Sequence, residues 1–171
     1  AFMYNDTFRL LQPRFDGFIA HVYQFDADVF STNRIEAKHT DPQQRVLLHS
    51  TLTLSQHSLQ EQNSSPHDSA VFVGITAFDY ANVTRNKHTY LHQPCSPPTN
   101  VANVVAGRIA FVFNFTGPTL SVDTACSSSL VAIYLLHTQD DANSYTKFGF
   151  GVNLMFDPNT SILCNSAGML S

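Results

Sequence analysis

The chain has 171 residues, enough for about one domain with a real core, and 43% of them are hydrophobic. Charged residues make up only 13%, against an ordinary ~25%, and 9 basic residues against 13 acidic ones leave a formal charge of −4. No Lys/Arg stripe points to nucleic acid, no apolar run reaches the ~18 residues of a membrane span, and the N-terminus lacks the basic-then-apolar pattern of a secretory signal.

Residues 1–40 mix Phe15, Phe18, Tyr23, Phe25 and Phe30 with Asp16, Asp26 and Asp28, a pattern predicting loop and short turns packed on a core. Asp41-Pro42 then opens a helix, with Asp as cap and Pro at the first helical position. Val46, Leu47, Leu48, Leu52, Leu54 and Leu59 carry that helix to about Gln60. Glu61 to Asp68 reads as a polar turn. Ala70 to Ile75 is short, apolar and β-branched, a buried strand. Residues 84–99, with three prolines, predict irregular loop. Asn100 is expected to cap a helix through Phe113, burying Val101, Val104, Val105, Ile109 and Ala110. Gly117-Pro118 breaks the chain, and Thr119 to Thr124 alternates as a strand. Ser127 to about His137 is apolar at helical spacing. A final strand is expected from Lys147 to Met155, and Asp157-Pro158 opens a last short segment. Helices alternating with strands argue for an α/β architecture.

The three cysteines, Cys95, Cys126 and Cys164, are odd in number and far apart. That spacing fits neither a disulfide framework nor a zinc site, so free thiols in a reducing, cytoplasmic compartment are expected. The eight histidines are scattered singly, without metal-ligand spacing.

Val122-Asp-Thr-Ala-Cys-Ser-Ser-Ser-Leu130 is the stretch that carries chemistry. A strand ends, the chain turns sharply and a helix is expected to begin at the cysteine, which is the build of a nucleophile elbow. A helix N-terminus presents unpaired N–H groups and positive partial charge, both of which favour a thiolate. The Cys126 amide is a candidate donor to a thioester oxygen. Acyl transfer to such a sulfur needs no metal and no bound organic cofactor. On spacing alone, a buried inert cysteine remains the alternative. Ala125, Ser127, Ser128 and Ser129 are small enough to let substrate and backbone approach. Asp123 is expected either to cap the helix or to orient the elbow by accepting backbone N–H groups, with Thr124 and the serines capping the helix or lining the pocket. Asp41 and Arg45 fit a structural i,i+4 pair.

Asp123 to Leu130, preceded by Gly117-Pro118-Thr-Leu-Ser-Val122, closely resembles the active-site signature of polyketide-type β-ketoacyl synthases. Other blocks agree in the family's order: Phe25-Asp-Ala-Asp-Val-Phe30, Asp41-Pro-Gln-Gln-Arg-Val-Leu-Leu48, Val71-Phe-Val-Gly-Ile75, Gly151-Val-Asn-Leu-Met155 and Ala167-Gly-Met-Leu-Ser171. The resemblance runs from about Phe15 to Ser171. It implies a partial thiolase-like α/β fold, residues 1–171 forming the N-terminal part of a synthase domain without its first strand or C-terminal half. It also implies that Cys126 takes an acyl group from the phosphopantetheine arm of an acyl carrier protein. A malonyl-type extender then loses CO2, and its carbanion attacks the thioester. Two histidines and a lysine that assist this step in the family have no counterpart here, since neither a His-Gly-Thr-Gly-Thr nor a Gly-His block occurs. By resemblance again, Thr119 to Asp123 is the strand that pairs across a homodimer, and the other half of the domain is a partner. Without that half, the chain is expected to be a poor enzyme, or a non-catalytic remnant or interaction subunit. Lys147 in a strand, Phe150 at a usually small position, Asp140 to Ser144 at a helix end and Ser166 in place of Arg depart from the family's pattern.

Overall fold

The computed structural model describes residues 19–61, 67–76, 79–80, 101–139 and 146–169. The predicted loop 84–99, Cys95, Asn100, Phe15 and Phe18, and the stretch from Asp140 to Ser144 lie outside these residues.

The elements run α1 (Arg34–His39), α2 (Pro42–Glu61), β1 (Ser69–Ile75), α3 (Ala102–Phe113), β2 (Thr119–Val122), α4 (Ser128–His137), β3 (Thr146–Val152) and α5 (Pro158–Ser166). The strands form a parallel sheet in the order β2-β1-β3, with Val71 opposite Thr119 and Phe148. Parallel strands need crossovers, and α3 and α4 lie in them.

β1 is central and buried along its whole length. Its side chains alternate between two cores, as a strand's period of two requires. Val71, Val73 and Ile75 meet Leu47 and Leu48 of α2, Val105, Ala106 and Ile109 of α3, and Phe148 and Phe150 of β3. Ala70 and Phe72 face the opposite way, against Ala132 and Leu136 of α4. Burying each large apolar side chain of this kind contributes about 1.5–3 kcal/mol.

β3 alternates more sharply. Phe148 and Phe150 point into the α2–α3 core, while Gly149 and Gly151 lie under α4. The two phenylalanines end a chain of ring contacts that starts at Phe25 and passes through Phe30, Phe113 and Phe115, with centroids 5.0–6.4 Å apart. This chain ties the N-terminal segment to the sheet and gives Phe150 a stacking partner at a position where a small residue is expected. Lys147 is half-buried and donates from Nζ to the Gln139 carbonyl at 3.0 Å, so its charge leaves the strand towards the end of α4.

Several expectations need correction. Residues 34–39 are helical, not loop: Asn33 caps α1 by accepting from the Ile35 amide at 2.7 Å, and Glu36 sits in the first turn. The N-cap of α3 is Val101, without a side-chain bond, and the helix stops because Asn114 adopts a left-handed conformation at φ 54°. β2 ends at Val122 and β3 at Val152, each earlier than its apolar pattern suggests. Leu54 is 45% exposed. Phe113 and Phe115 pack, partly buried, against the core, whereas Phe111 is 87% exposed. Cys164 lies within α5.

Candidate active site

β1, β2 and β3 run parallel, so their C-terminal ends share one edge of the sheet, where open α/β sheets place their ligands. Three segments leave that edge: Thr76 after β1, residues 123–127 after β2, and residues 153–157 after β3. α4 begins there, lying on Gly74 and Gly151. A Cβ on Gly74 would collide with the backbone of Ser128 and Ser129, and one on Gly151 with the Ser129 side chain. The two glycines therefore let the start of α4 sit directly on the sheet.

The elbow is built from short bonds. Asp123 Oδ1 accepts from the Ala125 amide at 3.0 Å. Of its two expected roles, Asp123 thus fills the orienting one; the N-cap of α4 is Ser127. Ser128 is 4% exposed, and its Oγ accepts from the Thr124 amide at 2.8 Å while donating to the Ala125 carbonyl at 2.6 Å. Thr76 Oγ1 lies 3.1 Å from Ser128 Oγ and 3.2 Å from the same carbonyl. Ser127 Oγ donates to the Thr124 carbonyl at 2.8 Å and lies 3.0 Å from Thr124 Oγ1. These bonds hold Ala125 at φ 55°, a left-handed conformation costing a residue with a Cβ about 1–3 kcal/mol.

Cys126 follows Ala125 and is exposed. It sits two residues before α4, in a turn bridged by Thr124 and Cys126, and not at the first helical residue as its sequence suggests. Its amide makes no hydrogen bond among the described residues, and no base is bonded to its sulfur there. Cys126, Asp123, Thr124, Ala125, Ser127 and Ser128 are thus one constellation. Thr76 completes it, although the sequence does not single it out. Its only signal is its place one residue past a buried parallel strand.

A second polar cluster supports the same edge. Asp41 caps α2 by accepting from the Gln43 amide at 2.8 Å, as Asp41-Pro42 predicts. Gln43 is buried and its Oε1 accepts from the Leu154 amide at 3.0 Å. Asp79 Oδ2 accepts from the amides of Phe156 and Asp157 at 2.8 and 2.9 Å. These bonds draw the chain off the sheet after Val152 and lead it into α5, whose N-cap is Asp157. Burial pushes the Asp41 carboxyl above its ordinary value, opposed by the bonds from Gln43, reinforced by the nearby Asp79 and opposed more weakly by Arg45. Arg45 and Asp41 are close enough to attract, yet the ion pair formed by α1 joins Glu36 to Arg108 of α3, at 2.9 Å.

No group of three or more His, Cys, Asp or Glu residues suited to a metal occurs among the described residues, and no described helix is long and apolar enough to cross a membrane.

Comparison with known proteins places this geometry. Residues 7–171 match the sequence model of the family "Beta-ketoacyl synthase, N-terminal domain". The chain is 37% identical over 155 residues to a phenolphthiocerol/phthiocerol polyketide synthase of Mycobacterium tuberculosis, covering 86% of this chain and 7% of that protein. It is 34% identical over 164 residues to a hybrid PKS-NRPS synthetase of Petromyces alliaceus, covering 90% of this chain and 4% of that protein. Among solved structures, it resembles the ketosynthase from module 6 of the bacillaene synthase of Bacillus subtilis with a TM-score of 0.74 and 26% identity, over 91% of this chain and 25% of that one. The oxazolomycin ketosynthase domain KS7 of Streptomyces albus gives a TM-score of 0.70 and 27% identity, over 89% of this chain and 26% of that one. The chain thus spans a small fraction of the polyketide synthases it matches and about a quarter of each solved ketosynthase chain. It belongs to the β-ketoacyl synthase family, matches that family's N-terminal domain, and carries the corresponding part of the thiolase-like α/β fold.

Proposed function

We propose that the chain supplies the acyl-accepting nucleophile of a polyketide-type ketosynthase, Cys126. The observation that carries this reading is an exposed thiol on a strained elbow at the C-terminal edge of a parallel sheet. The Cys126 thiolate attacks the carbonyl carbon of an acyl thioester, forming a new C–S bond. The carbonyl oxygen takes the negative charge, and the unbonded Cys126 amide is a donor available to it. Collapse of the tetrahedral intermediate breaks the original C–S bond and releases the carrier thiolate, which takes up a proton. A phosphopantetheine arm on an acyl carrier protein is the donor proposed here, with no bound cofactor.

In the second step an extender of the malonyl type loses CO2, and the resulting carbanion displaces Cys126 from the acyl group. The two histidines and the lysine that the family uses in this step have no counterpart among these residues, since neither a His-Gly-Thr-Gly-Thr nor a Gly-His block occurs. The exposed apolar side chains of α4, Leu130, Ile133 and Tyr134, support packing against the remaining part of such a domain. β2 is an edge strand of four residues with Leu120 partly exposed, which suits pairing with a second copy through Thr119 to Asp123.

The missing counterparts of the family's histidines favour a second reading, a non-catalytic subunit that keeps the fold. The full-length protein, loaded with an acyl thioester and given a malonyl thioester on a carrier, separates the two. Release of CO2 with a β-ketoacyl product supports the synthase. Loss of neither CO2 nor acyl group, in a protein that is folded by circular dichroism, supports the non-catalytic subunit.

A further inference from the structure

Away from the elbow, Arg45 is buried with part of its guanidinium unpartnered. The residue is 8% exposed, and its Nε has no hydrogen-bond partner. Its attraction to Asp41 ranks below burial, the Gln43 bonds and the repulsion from Asp79. Leaving a buried charged donor unpaired is costly, and proteins ordinarily satisfy such a group. Arg45 lines a cavity of about 690 Å³ between the segment 23–28 and α1. Arg34 and Lys38 line the same cavity from one face of α1, four residues apart, and neither is in an ion pair among the described residues. Asp26 and Asp28 line it from the segment 23–28. Asp26 Oδ1 is engaged by the Asp28 amide at 3.1 Å. Among the described residues that line it, three cations against two carboxylates leave one positive charge in excess. Exposed Tyr23 and half-buried Phe25 add aromatic surface.

We infer that this cavity binds an organic molecule bearing a singly charged oxyanion, a carboxylate or a phosphodiester, with the oxyanion on the Arg45 guanidinium. The planar fork of an arginine fits two oxygens of either group. Arg34 and Lys38 draw the anion in from solvent, and the two aspartates select against a higher negative charge. The cavity is large enough to receive a body beyond the head group. The site is distinct from Cys126 and stands whether or not the acyl-transfer reading does.

The test uses the full-length protein and two head-group probes, acetate and dimethyl phosphate, in calorimetric titrations. Saturable binding is expected for at least one, and the preferred probe identifies the head group. Binding should weaken about ten-fold or more in R45Q. It should weaken several-fold in the surface variant R34Q/K38Q, and less so as salt is raised. Arg45 is buried and R45Q risks misfolding, so R34Q/K38Q provides an independent reading. Phenylglyoxal modification of Arg45, slowed by the bound probe, is a second. Absence of saturable binding by either probe, or binding unaltered in R34Q/K38Q with no protection of Arg45, overturns the inference.

Discussion

Gly74 and Gly151 face each other across the β1–β3 pairing, and both lie beneath the first turn of α4. The pair sets the height of α4 above the sheet and, with it, the position of the Cys126 turn that precedes the helix. Alanine at Gly74 would have to displace the Ser128–Ser129 backbone, and alanine at Gly151 would meet Ser129 Cβ, which no rotamer moves, so G74A and G151A are each expected to destabilise the protein by about 1–3 kcal/mol. Gly149 offers a milder contact, 3.1 Å to Leu136 Cδ2. Gly107 in α3 has nothing near its absent Cβ, so G107A should stabilise by about 0.5–1 kcal/mol. Urea unfolding of the three variants and wild type checks the order.

Ser128 holds both sides of the elbow, accepting from Thr124 and donating to Ala125. Its removal in S128A takes the acceptor from the Thr124 amide, while the Ala125 carbonyl keeps the Ser128 amide and Thr76 Oγ1 as donors, so the cost should be about 0.5–1.5 kcal/mol. A125G should do the reverse and relieve about 1 kcal/mol of left-handed strain, although the freer unfolded chain offsets part of that gain. If the strained turn positions the sulfur, A125G slows acylation of Cys126 while raising the unfolding midpoint. Equal acylation rates would show that the turn's shape does not matter to the reaction.

Asp79 ties together segments 77 and 78 residues apart through the amides of Phe156 and Asp157. D79A should leave those amides unsatisfied and cost about 2 kcal/mol, with faster hydrogen exchange confined to residues 156–159. D79N, which keeps one acceptor oxygen, should restore part of the protection.

Asp41 provides a pH test with a fixed sign. Its folded carboxyl is held above the ordinary value of 3.8, so the folded protein binds the proton more tightly than the unfolded chain. The stability linked to that proton is complete below the ordinary value and is lost as pH rises through the raised one. D41N keeps an oxygen for the Gln43 amide and removes the charge. Relative to wild type, D41N should therefore gain stability from acid to neutral pH. A difference between the two proteins that does not vary with pH would contradict this.

These sites divide into what local sequence reveals and what it does not. Asp41-Pro42 marks the start of α2 because capping and proline geometry are local. The β1 strand and the apolar face of α3 are legible because burial follows a period. α1 escapes a reading by pattern because its six residues bury only Ala37. The end of β3 is misplaced because Leu154 and Met155 look like strand, while the amides after Val152 go to Gln43 and Asp79, far away in sequence. Within the elbow, the serines and Asp123 are legible as a group, but the left-handed Ala125 and the contribution of Thr76 are not. Both depend on β1 meeting α4 in space. The Arg45 cavity depends likewise on segments that meet only in the folded chain.

The measurement that tests the central claim most directly is peptide mapping by mass spectrometry after the full-length protein is incubated with an acyl thioester. Nucleophilic Cys126 predicts one acyl group on that residue, none on half-buried Cys164, and none in a folded C126A variant. A folded wild-type protein that leaves Cys126 unmodified, or that is acylated equally well in C126A, would contradict it.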